Sequence, residues 1–202
     1  MKSAETREVI IAKVFKLLLQ RGYKGVSISD IQQETGMARG LLYHYFGGKE
    51  QLFVEAATRY LQEFFFIDLE RAKHFTIGEM IRYMLERYAD IMAKSFGNFA
   101  GEGKVSIRDY DFLFYQVTRE DAAFALAYEQ YRARELAVWK MVVKNSISAG
   151  ELRNEADPDK SAACFVYLLD GIWMNIVNEN KPGAFLIRIE EALTDYYRLL
   201  RK

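Results

Sequence analysis

Apolar positions recur at helical spacing along almost the whole chain. Val9, Ile10, Ala12, Val14, Phe15, Leu17 and Leu18 mark one helix between Ala4 and Arg21, and Gly22 stops it. A long helix is expected over Gln51–Lys73, with Leu52, Phe53, Ala56, Tyr60, Phe64 and Ile67 as its stripe, broadened by Phe65 and Phe66. Phe75-Thr76-Ile77-Gly78 interrupts it. The pattern resumes over Ile77–Lys94 through Met80, Ile81, Met84, Leu85, Tyr88, Ile91 and Met92. Phe96–Ser106 reads as the main irregular stretch. Asp109–Gln116 reads as a short aromatic helix and Arg119–Ala149 as a long one that Gly150 ends. Two more follow, Pro158–Glu179 and Gly183–Lys202, parted by Asn180-Lys181-Pro182. No strand alternation and no internal repeat is present, so the predicted fold class is all-α.

The densest information lies in Val26–Leu52. Ser27 with Asp30 has the spacing of a capping box, and Gly36 sits where a short helix beginning there would end. After Gly36-Met37-Ala38 a second short helix runs through Leu41, Leu42, Tyr43 and Tyr45 to Phe46, and Gly47-Gly48 breaks it before Lys49-Glu50 opens the next. Two short helices across a tight turn make a helix-turn-helix, whose second helix fits a DNA major groove. Arg39, Gly40, Tyr43 and His44 fall near the N-terminal half of that helix, where base edges are reached. Arg39 can pair with guanine, Gly40 permits close approach, and Leu41 can touch a thymine methyl. Tyr43 and Lys49 suit phosphates, as do the helix N-termini near Ser27, Ser29 and Lys49.

These residues resemble the tetracycline-repressor (TetR) family of bacterial regulators. The likeness rests on Gly22-Tyr23, Ser27-Ile28-Ser29-Asp30-Ile31, Gly36, the run Gly40-Leu41-Leu42-Tyr43-His44-Tyr45-Phe46, and Lys49-Glu50 with Leu52. It covers about the first quarter of the chain. Gln32, Thr35, Ala38 and Leu41 depart from the family pattern. Ala38 replaces a polar cap and costs the second helix roughly 1 kcal/mol relative to Ser. The departures bear on the operator sequence rather than on the fold.

The resemblance implies a three-helix helix-turn-helix head over residues 1–48, and a helical ligand-binding and dimerisation body over residues 49–202. It further implies a cavity between the body's long helices and an isologous four-helix bundle between two copies. The partners expected are double-stranded operator DNA, a second copy of the chain and a small-molecule effector.

Charge agrees with that division. Formal net charge is zero, but Lys and Arg outnumber Asp and Glu by three within residues 1–50, and the remainder is acidic by three. A basic head on an acidic body suits DNA at one end. The single Cys164 excludes an internal disulfide and lies in the apolar run Ala162–Leu169, as a core thiol would. With no 18-residue apolar stretch evident, neither a membrane span nor a signal peptide is expected, and the location expected is cytoplasmic.

Candidate catalytic chemistry is sparse. His44 and His74 lack the i+4 partner of a helical metal site, no Gly-x-Ser-x-Gly elbow occurs, and Cys164 has no nearby histidine. Gly103-Lys104 fails the phosphate-loop pattern, since Asn98 and Val105 stand where Gly and Ser/Thr are needed. Neither an enzyme, a metal site nor a cofactor is expected.

The chain has 14 Phe, 13 Tyr and 2 Trp, enough rings to line a cavity as well as fill a core. The pocket candidates are Tyr83, Tyr88, Phe112, Tyr115, Tyr128, Trp139 and Trp173. On the last two helices Phe165, Leu169, Ile172 and Ile176 make one stripe, and Leu193 and Tyr196 belong to another. Both could pack inside one subunit or against a second copy. The leading reading is a ligand-responsive repressor. The alternatives are a DNA-binding regulator without effector, and a small-molecule carrier or enzyme with a vestigial helix-turn-helix.

Overall fold

The computed structural model describes residues 2–65, 68–99 and 105–202, and among them the regular elements are helices. In chain order these are α1 (Lys2–Arg21), α2 (Ile28–Thr35), α3 (Arg39–Phe46), α4 (Lys49–Phe65), α5 (Leu69–Ala72), α6 (Ile77–Phe99), α7 (Ile107–Glu120), α8 (Ala122–Ser148), α9 (Pro158–Glu179) and α10 (Phe185–Leu200). A 3-10 turn, Tyr23–Gly25, precedes α2. The all-α expectation is met.

Boundaries differ from the expected ones where side chains compete with the helix ladder. The helix expected over Gln51–Lys73 is two, α4 and α5, because Asp68 takes the N-cap position of α5. Its carboxylate accepts the Arg71 N–H at 3.1 Å while its own N–H donates to the Tyr83 hydroxyl at 3.2 Å. Phe66 and Ile67 lie outside the described residues. α6 runs on to Phe99, so part of the stretch expected to be irregular is helical. Gly103 and Lys104 also lie outside the described residues.

α7 is longer than expected at both ends. Ser106 and Asp109 form a capping box at its start, with the Ser106 N–H donating to Asp109 at 2.6 Å. Asp121 separates α7 from α8 by accepting the Phe124 N–H at 2.6 Å.

Two compact units result, one of Met1–Phe65 with Phe96–Leu126 and one of Phe66–Ser95 with Ala127–Lys202. α4 and α7 therefore pack with the first three helices, a division by packing that differs from residues 1–48 and 49–202. In the first unit α1 lies against α4, burying Ile10, Val14, Phe15 and Leu18 with Leu52, Phe53 and Ala56. The Phe15 ring stacks on Tyr60, centroids 4.4 Å apart, and meets the edge of Tyr110 from α7 at 5.7 Å.

In the second unit Trp139 of α8 stacks flat on Phe165 of α9, with centroids 4.5 Å apart and planes at 7°. Phe165 then meets Tyr196 of α10 edge-on at 4.8 Å. The buried Ser146 accepts the Ile77 N–H at 2.8 Å, and Asn145 donates to the carbonyls of Lys73 and Phe75. α8 thereby satisfies the orphan groups where α5 ends and α6 begins.

One expectation is corrected. By length and composition α9 is apolar enough to cross a membrane. Its buried stripe of Ala162, Phe165, Val166, Leu169 and Ile176, and the ion pair made by Asp170, are features of a helix packed into a core.

Candidate nucleic-acid interface

α2 and α3 are held in place by their ends. The Ser27 hydroxyl accepts the Asp30 N–H at 3.2 Å and the Asp30 carboxylate accepts the Ser27 N–H at 2.8 Å, closing the expected box. Arg21, at the end of α1, pairs with the same carboxylate. Hydrogen bonds from Ser27, then the Arg21 guanidinium, hold the Asp30 carboxyl down at about 2. A folded-state value below the ordinary 3.8 favours the fold above that pH and ceases to do so as pH falls through about 2. In Asp30→Asn the acid-unfolding curve, followed by helix circular dichroism, is therefore expected to lose part of its drop between those two values.

The other end of α2 is fixed by Lys13, whose ammonium donates to the Glu34 carbonyl at 2.7 Å. Gly36 then turns the chain with φ 72°, a conformation that costs an L-residue with a Cβ roughly 1–2 kcal/mol. Ala38 occupies the N-cap of α3 without a side-chain bond, as its methyl dictates.

α3 buries Leu42 and Phe46 and turns Arg39, Gly40, Leu41, Tyr43 and His44 outward. The Arg39 guanidinium lies 5.6 Å from the Tyr43 ring centre and within 3.4 Å of its hydroxyl, so the two outward side chains brace each other. A Cβ built on Gly40 would meet nothing within 4 Å, leaving that stretch of backbone open to a close partner. Ser27 and Ser29 are exposed at the start of α2. Lys49, at the start of α4, rests its ammonium 5.0 Å from the Phe53 ring. The eight residues expected at a DNA surface thus fall at α3 and at the N-termini of α2 and α4.

Two positioning contacts carry no local sequence signal. Gln116 of α7 accepts the Tyr23 N–H at 2.9 Å, and Glu120 pairs with Lys24 at 3.2 Å. Both hold the turn that leads into α2.

The candidate pocket residues divide. Tyr88 and Trp173 each meet the Phe185 ring edge-on, at 5.3 and 5.5 Å, and Tyr128 lies close enough to Tyr88 to perturb its hydroxyl. Tyr83 is committed to the start of α5: its hydroxyl takes the Asp68 N–H and its ring sits under Arg71. Trp139 is core, although its buried indole N–H has no partner. Phe112 and Tyr115 are more than half exposed on α7, in the first unit.

The residues expected at a dimer face lie on the inner sides of α9 and α10 in the single chain. Phe165, Leu169, Ile176 and Leu193 are buried within a single copy, with Ile172 and Tyr196 partly so. They form the seam between α9 and its neighbours, because a stripe at 3.6-residue spacing packs first against the subunit's own helices. The outer faces carry other apolar groups: Tyr167 at 70% exposure and Met174 at 42% on α9, with Ile187 at 59% on α10. Cys164, expected in the core, is exposed on that side of α9.

Comparison with known proteins agrees with this geometry. Residues 10–56 match the family model described as bacterial regulatory proteins, tetR family. Over 197 residues the chain is 26% identical to the HTH-type transcriptional regulator BetI of Vibrio vulnificus, covering 94% of this chain and 93% of that one. Among solved structures, a TetR transcription regulator of Haloarcula marismortui superposes with a TM-score of 0.69 at 14% identity, covering 98% of this chain and all of that one. A Saccharomonospora viridis protein in complex with choline superposes at 0.67 with 20% identity, covering 96% of each chain.

Proposed function

The chain belongs to the TetR family of bacterial regulators, and from that premise we propose that it is a dimeric repressor released from its operator by a small molecule. The observation that carries the reading is the outward face of α3, where Arg39, Gly40, Tyr43 and His44 stand clear of the protein on a helix fixed at both ends. Ser27, Ser29, Leu41 and Lys49 complete the DNA surface. One short helix reads few bases, so two heads act together, joined through α9 and α10 by the exposed Tyr167, Met174 and Ile187. The effector binds the second unit and favours a state in which the two heads no longer match successive grooves. It must bind that state more tightly than the DNA-bound one. The Saccharomonospora viridis structural neighbour was solved in complex with choline, which supports a small-molecule effector. The protein acts where the chromosome is, in the cytoplasm.

Selection from a pool of random duplexes tests the reading, because it presupposes no operator sequence. It is expected to yield a site of two-fold symmetry. Recovery of random sequence would reject the proposal. On the selected site, Arg39→Ala is expected to relax preference at one position of each half-site, at a cost of roughly 1–3 kcal/mol. Lys49→Ala is expected to weaken selected and random DNA alike, and to flatten the salt dependence by about one unit of slope. Filter binding over a range of salt concentrations separates the two classes.

A further inference from the structure

Arg39 is treated differently from other arginines of the first unit. Arg7, Arg21 and Arg59 each pair with a carboxylate. Arg39 takes part in no ion pair among the described residues, and α3 itself carries no Asp or Glu. Its guanidinium meets Tyr43 instead, one turn along the same helix face. An N–H lies 3.4 Å from the hydroxyl oxygen, and the charge sits 5.6 Å from the ring centre. Both side chains are exposed, so the contact holds no core together. Arg39 is also the first residue of α3, the end at which a helix dipole disfavours a cation. Its charge therefore gains little from the fold.

The gain lies in what the contact prepares. Pairing with guanine O6 and N7 uses two parallel N–H groups of a planar fork, held at a fixed angle to the helix. A free arginine gives up much rotamer freedom to reach that state. The Tyr43 ring restrains the guanidinium beforehand, and the hydroxyl occupies one N–H of five. A carboxylate at the same place would engage two N–H groups and cancel the charge, in competition with the base. As acceptor from Arg39, the hydroxyl keeps its own proton to donate to a phosphate oxygen at the groove edge. One side chain then spans from the DNA backbone to the group that reads the base.

We infer that Tyr43 is a specificity-determining residue that acts through Arg39, an inference that rests on the proposed reading of DNA by α3. Tyr43 is a positioning residue. It touches no base, and it fixes the guanidinium for the bidentate contact with guanine. Its effect on sequence preference is confined to the position that Arg39 reads and vanishes when Arg39 is absent.

The test is equilibrium binding of the full-length protein to the selected operator, to single-position variants of it changed in both half-sites, and to random duplex. Arg39→Ala first locates the position that Arg39 reads. Tyr43→Phe keeps the ring and loses the hydroxyl; Tyr43→Leu loses both. In Tyr43→Phe, preference at the located position is expected to fall about threefold per half-site, or roughly tenfold over the symmetric site. A larger fall is expected in Tyr43→Leu, and preference at other positions is expected to stay parental. In an Arg39→Ala background, Tyr43→Phe is expected to remove no further preference there, the non-additivity of two groups acting as one. Helix circular dichroism and melting temperature of Tyr43→Phe are expected to match the parent, since the hydroxyl lies on an exposed face.

Equal weakening on every duplex with preference intact would make Tyr43 a phosphate contact alone and overturn the inference. Additive losses in the double variant would overturn it as well, as would a Tyr43→Phe that melts lower while keeping its preference. Should Tyr43→Leu fail to fold, Tyr43→Phe decides by itself. An Arg39→Ala that relaxes no position sinks the reading of DNA by α3 and the inference with it. A position-specific loss in Arg39→Ala beside parental preference in Tyr43→Phe sinks only the inference.

Discussion

Phe165→Ala is expected to lower the stability of the protein by about 3–5 kcal/mol, and to do so in one copy of the chain as much as in two. The ring is fully buried, stacked on Trp139 and met edge-on by Tyr196, so truncation leaves a cavity lined by three helices. The neighbours cannot close it without moving the indole. Several kcal/mol is a large share of the roughly 5–15 kcal/mol that a domain typically has. Urea unfolding at two protein concentrations measures both parts of the expectation. A loss below about 1 kcal/mol, or one that vanishes on dilution, would place Phe165 at an intermolecular surface instead.

Replacing Tyr167 and Met174 together with Asp is expected to have the opposite profile. Both side chains are exposed on the outer face of α9, so the isolated subunit loses little and keeps its helix content. In a dimer the same face would bury two unpaired carboxylates per copy, which association cannot offset. The variant is expected to be monomeric by light scattering. Its operator affinity is expected to fall roughly 100-fold or more, because linking two heads makes the second contact intramolecular. A variant that stays dimeric with full operator affinity would show that the copies meet elsewhere. The contrast with Phe165→Ala separates core from interface on helices that sequence alone leaves ambiguous.

That ambiguity has a plain physical origin. A hydrophobic stripe at 3.6-residue spacing says that a helix face is buried, not whether the burying surface belongs to the same copy. Phe165, Leu169, Ile176 and Leu193 satisfy the pattern inside the subunit, and the exposed Tyr167 and Met174 have no periodic signal of their own. The head is more legible because its determinants are local. Ser27 and Asp30 are three residues apart, and the Gly36 turn with φ 72° and the Gly47 stop with φ 67° act on the next residue. The break between α4 and α5 escapes the sequence pattern because Asp68 in an apolar run reads as a tolerated surface residue until its cap is seen. Contacts over long separations, such as Gln116 to Tyr23, have no trace in any window of sequence. The same holds for the group of Arg132, Glu135 and Asp170 in the second unit. Arg132 and Glu135 have a visible i, i+3 spacing, but nothing in α8 announces that Asp170 comes to share the guanidinium.

In the proposed function two copies of α3 read a two-fold symmetric DNA site. Hydroxyl-radical footprinting of the protein on its selected operator tests this most directly. Protected patches related by two-fold symmetry on the duplex are expected, centred on half-sites separated by about one helical turn or a multiple of it. No protection is expected on random DNA of equal length at the same salt and protein concentration. Protection confined to a single asymmetric patch, or equally strong on random DNA, would contradict it.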